Sequence, residues 1–200
     1  MIIMIDPGHS GTDPGAVGPS GVKEKDINLA VAERLHLLMA DAGIEAYMTR
    51  VGDVEVPLWK RAELANSIGA DYFVSIHANA ATSPSAHGTE TYHYPGSAPG
   101  KALAEAVQAE LVKATGLANR GIKESGFYVL RATAMPAILV ELAFLSNPEE
   151  ERLLIDPEFQ TKCARAIWEG IKKATGFIEG TPILRTPRAT VGQAKEWAKG

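Results

Sequence analysis

Apolar positions follow two periods along this chain, and the two alternate. Short runs of β type, rich in branched and aromatic residues, occur at Met1–Ile5, Glu45–Thr49, Tyr72–Ile76, Thr89–Tyr94, Phe127–Arg131 and Ala137–Leu142. Between them lie stretches with helical spacing. Glu24–Ala42 places Ile27, Val31, Leu35, Leu38 and Met39 on one face, and Gly43 follows as a stop. Leu58–Ile68, Gly100–Thr115 and Pro157–Thr175 read the same way. This alternation predicts an α/β fold, a mainly parallel sheet with helices on both faces. One link breaks the rule. Only Ala132–Pro136 separates the fifth run from the sixth, and a parallel crossover needs about a dozen residues. Those two strands, if neighbours, pair antiparallel, so the sheet is expected to be mixed.

The tail has a different texture. Phe177–Thr190 holds Gly180, Pro182 and Pro187 and reads as a linker. Thr190–Lys199 has the look of a helix start with Thr190 as N-cap. The expected organisation is a catalytic unit over 1–176, then a linker or the beginning of a second module over 177–200.

Composition narrows the chemistry. The chain has 200 residues and a net charge of -4, which gives no basic footprint for nucleic acid. Its single cysteine, Cys163, allows no internal disulfide, so a metal site must use histidine and carboxylate. No apolar run reaches the length of a membrane span. Met1 leads straight into the first strand without a basic leader, so export is expected to need a signal that this chain does not carry.

In open α/β sheets, ligands gather at the carboxyl ends of the strands. Polar residues there are the candidates. His9 follows the first strand in Asp6-Pro7-Gly8-His9-Ser10-Gly11; it is either a ligand or an idle loop residue. His77 ends an apolar central strand in Ser75-Ile76-His77-Ala78-Asn79; it is either a ligand or a hydrogen-bonded structural group. Glu141 interrupts the apolar run Ala137–Leu145. Burying a lone carboxylate is costly, so Glu141 must lie near a metal or be paired, with Arg131 or Arg50 as partners. Glu24 opens the first helix, where an acid also serves the helix dipole. Together, two imidazoles and one carboxylate would make an open three-ligand zinc site, with Glu141 as the base beside it. The residues by themselves reach a metal-assisted hydrolase of an amide or ester. His87 and His93 are the rival ligands. Asn79 could touch substrate or simply shape a turn, Glu90 reads as structural, and Arg50 and Arg61 read as partners for sheet-edge carboxylates. Trp59, Tyr92, Tyr94 and Tyr128 could offer aromatic surface to a sugar or pack in the core.

The ordered motifs add a resemblance. Ile5–Gly11, Glu24–Leu29, Thr49-Arg50, Arg61–Asn66, Ser75–Asn79, Gly88–Tyr92, Arg120-Gly121-Ile122, Met135-Pro136-Ala137 and Val140–Asn147 together resemble the zinc-dependent N-acetylmuramoyl-L-alanine amidases of type 3, the catalytic domains of autolysins, sporulation hydrolases and endolysins. The resemblance implies a three-layer α/β/α fold around a six-stranded, mostly parallel sheet. It implies His9, Glu24 and His77 as Zn2+ ligands and Glu141 as the catalytic carboxylate. It implies hydrolysis of the lactyl–L-alanine amide of peptidoglycan, and hence action at the bacterial cell wall. A zinc peptidase or deacetylase acting on muropeptides, and a non-catalytic wall-binding or activator module, are the alternatives. Thr181–Leu184 is similar to the start of a further wall-associated module, which would be a C-terminal partner absent from this chain.

Overall fold

Strands alternate with helices through the computed structural model, which describes residues 1–180. In chain order they are β1 (Ile2–Pro7), α1 (Glu24–Asp41), β2 (Glu45–Met48), α2 (Leu58–Ser67), β3 (Tyr72–Asn79) and β4 (Thr89–His93). Then come α3 (Ala98–Thr115), β5 (Asn119–Glu124), α4 (Tyr128–Arg131), β6 (Ala137–Phe144), α5 (Pro148–Leu154) and α6 (Pro157–Thr175). Side-chain oxygens of Ser97, Asn147 and Asp156 cap the last three long or Pro-initiated helices, each accepting from a backbone N–H of the first turn.

The six strands form one sheet in the order β2-β1-β3-β6-β4-β5. β2, β1, β3 and β6 run parallel. β4 lies antiparallel to β6, and β5 lies parallel to β4. The sheet is therefore mixed, as expected, but the antiparallel pair is not the expected one.

Strand alternation sorts side chains to two faces. Ile3, Ile5, Val74, Ile76, Ile138, Val140 and Leu142 meet α1, α3 and α6 in the larger core. Met4, Phe73, Ala137 and Leu139 meet α2 and α4 in a smaller one. The result is the three-layer α/β/α arrangement.

Two corrections follow. Phe127–Arg131 is not a strand: Tyr128–Arg131 forms a single helical turn, α4. Its aromatic and branched residues suit a strand, but Val129 and Leu130 are adjacent and both buried, which a strand exposed on one face does not allow. The fifth strand is instead Asn119–Glu124, a polar edge strand. The helix start expected at Thr190–Lys199 lies outside the described residues, as does most of the expected linker. Phe177 rests on Trp168, with ring centroids 5.5 Å apart. No helix among the described residues is long and apolar enough to cross a membrane.

Candidate active site

The smaller-core face changes character towards the carboxyl ends of the parallel strands. On β3 the sequence Phe73, Ser75, His77 shares that face, and on β6 Leu139 is followed by Glu141. His77 and Glu141 are paired neighbours in the β3–β6 register, and Glu141 is paired with Glu90 across β6–β4. A polar row thus crosses the sheet where its apolar face stops.

His9 joins the row from the loop after β1. Its backbone is left-handed, with φ of 57°, a conformation that non-glycine residues rarely adopt. Three cations hold this loop. The Arg61 guanidinium pairs with Asp6 at 2.8 Å and donates to the carbonyls of Pro7 and His9. Arg50 donates to the carbonyls of Pro7 and Gly8. Lys25 donates to the carbonyl of Gly11 and pairs with Asp53. Arg61 thus pairs with a carboxylate, though on the interior strand β1 and not at a sheet edge, whereas Arg50 serves backbone carbonyls.

Glu24 enters from the first turn of α1 and lies between the two imidazoles. Its Oε1 is 2.9 Å from His77 Nδ1, and its Oε2 is 3.2 Å from His9 Nε2. It also accepts from the backbone N–H groups of Ala16 and Ala78 and from the Asn28 amide. Ligand atoms of His9, Glu24 and His77 all lie within 4.8 Å of one another. The backbone is shaped to this cluster. A Cβ on Gly8 would lie 2.2 Å from the His77 ring, and one on Gly15 would lie 2.5 Å from Glu24 Oε2.

The charges follow from the geometry. Burial opposes ionisation of Glu24, but hydrogen bonds from His77 and His9 hold its carboxyl well below the usual carboxylate range. Burial likewise opposes the charge of His9, yet Glu24 and Asp13 outweigh it and lift the imidazole to about 9. Asp13 Oδ2 accepts from His9 Nδ1 at 2.7 Å, which leaves Nε2 aimed at Glu24.

Glu141 behaves differently. Burial pushes its carboxyl up to about 7, against the pull of His77 and with help from Glu24 and Glu90. Its Oε2 is buried and has no hydrogen-bond partner. Among the described residues it makes no ion pair. Arg131 lies over the Tyr128 ring instead, and Arg50 is engaged with the β1 loop. A cleft of about 450 Å3 opens over His9, His77 and Glu141, with apolar lining from Val56–Leu58 and Phe127–Val129.

Against this geometry the comparisons are decisive. Residues 3–173 match the family model described as N-acetylmuramoyl-L-alanine amidase. The chain belongs to the N-acetylmuramoyl-L-alanine amidase family. Its activity is that of a peptidoglycan amidase. Over 215 residues it is 33% identical to the amidase AmiA of Escherichia coli, covering 85% of this chain and 74% of that one. Over 171 residues it is 40% identical to the amidase LytC of Bacillus subtilis, covering 84% of this chain and 34% of the relative. The solved catalytic domain of CwlV, the amidase of Bacillus (Paenibacillus) polymyxa var. colistinus, superposes with a TM-score of 0.84 at 39% identity. That match covers 88% of this chain and 98% of the domain.

Within this amidase the remaining candidates are placed as follows. Asn79 does not line the cleft; its side-chain Nδ2 donates to Glu90 at 2.8 Å and its side-chain Oδ1 accepts from Ala80 N–H. His87 bonds to the Ser85 carbonyl, His93 bonds to that of Tyr94, and neither belongs to the His9–Glu24–His77 cluster. Sequence reasoning passed over Asp13 and Asn28. Each stands four residues after a cluster member, and for Asn28, on a helix, that spacing alone marks a shared face.

Proposed function

We propose that this amidase cleaves the bond between the lactyl group of N-acetylmuramic acid and the L-alanine that opens the stem peptide, using Zn2+ held by His9, Glu24 and His77. The donor set suits zinc: two imidazoles and one carboxylate, with Asp13 bonded to the back of His9 to fix its ring, leave room for a further oxygen. A zinc ion there would polarise the amide carbonyl and ease deprotonation of the attacking water.

Glu141 does the proton work. The observation that carries this reading is its buried Oε2, an acceptor with no partner, on the residue paired with His77 across β3–β6. A buried carboxylate with a free acceptor oxygen beside the cluster can take a proton from water and return it to the departing alanine nitrogen. Carbon–nitrogen cleavage then consumes one water and yields a free amine and a lactyl acid. The apolar lining around residues 56–58 and 127–129 thins the water around that transfer. Residues 1–176 are the catalytic unit of this proposal, acting at the cell wall.

The test pairs metal analysis with a digest of purified wall. The zinc-loaded chain is expected to release peptides that begin with alanine. Glu141→Gln is expected to keep one zinc per chain and to lose at least about a hundredfold in rate. Release at the original rate by that variant, or shortened peptides still attached to sugar, would overturn the proposal.

A further inference from the structure

The polar row does not stop at Glu141. On the next strand Glu90 is almost wholly buried, its side chain 3% exposed, and two cations from β5 converge on one of its oxygens. Arg120 Nε reaches Glu90 Oε2 at 2.6 Å, and Lys123 Nζ bonds to the same oxygen. The other oxygen accepts from Asn79 and from the Tyr92 hydroxyl. Burial alone would raise the Glu90 carboxyl, but its donors bring it down to about 2, so it is an anion throughout the useful range. Two cations thus share one carboxylate oxygen.

Those cations also keep capacity for a further anion. Each side chain is 37% exposed. Arg120 has five N–H donors and spends one on Glu90 and a long one, 3.4 Å, on the His87 carbonyl. Its Nη2 has no acceptor among the described residues. A continuous surface leads from this pair to the cleft: Lys123 lies over the Tyr92 ring at 5.8 Å, and Tyr92 meets Phe127, which lines the cleft, at 5.2 Å. β5 lies two strands from β6, about 10 Å at the usual spacing. The charged ends, however, meet at Glu90 on β4, one strand from Glu141, and an extended peptide covers that spacing in about two residues.

We infer that Arg120 and Lys123 form a carboxylate-binding subsite for the stem peptide, with Glu90 positioning the two cations and the α-carboxylate of the second stem residue as the group they receive. The inference rests on the proposed amidase reading for its substrate, but its geometry is independent of zinc and of Glu141. The subsite would distinguish walls whose stem carboxyl is free from walls in which it is amidated, because a carboxamide brings no charge and a donor where an acceptor is wanted.

The probe is a synthetic stem tripeptide, L-alanyl-γ-D-glutamyl-L-lysine, with the glutamyl α-carboxyl free or amidated, titrated into the full chain by NMR or calorimetry. The free acid is expected to bind about tenfold tighter than the amide, a preference that shrinks with added salt. Arg120→Gln and, separately, Lys123→Gln should each reduce the preference to about threefold or less, and Arg120→Lys should keep part of it. Equal affinity for the two peptides in the unaltered chain would overturn the inference. So would an equal loss for both peptides in each Gln variant, the sign of a merely structural salt bridge. A zinc-loaded chain that discriminates between the peptides yet turns over no muropeptide would sink the proposed reaction and leave the subsite standing.

Discussion

A carboxyl group held by burial near pKa 7 weighs on the folded protein whenever it must ionise. For Glu141 the ordinary value is 4.5 and the folded value about 7. The fold binds this proton more tightly than the unfolded chain does. The stability that the protonated group lends is therefore complete below about 4.5 and is lost as pH rises through about 7. Glutamine keeps the shape without the charge. Metal-free Glu141→Gln is expected to be more stable than the parent at pH 8, by up to about 3 kcal/mol, with the gap closing by pH 4. Chemical denaturation in chelator at both pH values reads this, and a gap that does not change with pH would refute it. His9, His77 and Glu141 were legible in the sequence for the same reason: each is a polar residue at the end of, or within, an apolar strand. Asp13, Asn28 and Arg120 were not assigned roles, since a polar residue in a loop, on a helix or on an edge strand offends no rule.

Elements were legible in proportion to how deeply they are buried. β1, β3 and β6 are short apolar runs, and α1 carries its buried residues at helical spacing. β5 escaped notice because Asn119, Arg120, Gly121, Lys123 and Glu124 are weak strand formers at the sheet edge, where β4 is the one strand neighbour. α5 was also passed over, although Asn147-Pro148 followed by three glutamates is a helix start by any local criterion. What no local pattern reveals is how closely two elements approach. α6 contacts α3 through Gly170, where a Cβ would lie 2.5 Å from Val107 Cα. Alanine there would gain helix propensity worth about 1 kcal/mol, but the obstacle is backbone and cannot rotate away. Gly170→Ala is expected to cost about 1–3 kcal/mol net, a fall of several degrees in a melting scan. An unchanged or higher Tm would show that the helices can part without penalty.

At the scale of the whole molecule, the described residues bury one core on each face of the sheet, and Phe177 on Trp168 is the last aromatic contact among them. The proposed catalytic unit should therefore stand alone. A fragment of residues 1–180 is expected to melt within about 2 °C of the full chain and to digest wall at a comparable rate per molecule. Loss of either property would show that the last twenty residues contribute to the unit.

The reversal of β4 against β6 has a further consequence for how such a scaffold can diversify. Parallel strands deliver only their tips to the site, but a reversed pair delivers its beginnings. The connections that enter β4 and β5, residues 80–88 and 116–118, thus arrive at the same rim as the tips of β3 and β6. Lengthening a connection costs little, about 0.6 kcal/mol per doubling. Grafted segments there could re-shape the rim for a different wall while every strand and every helix crossing stayed in register.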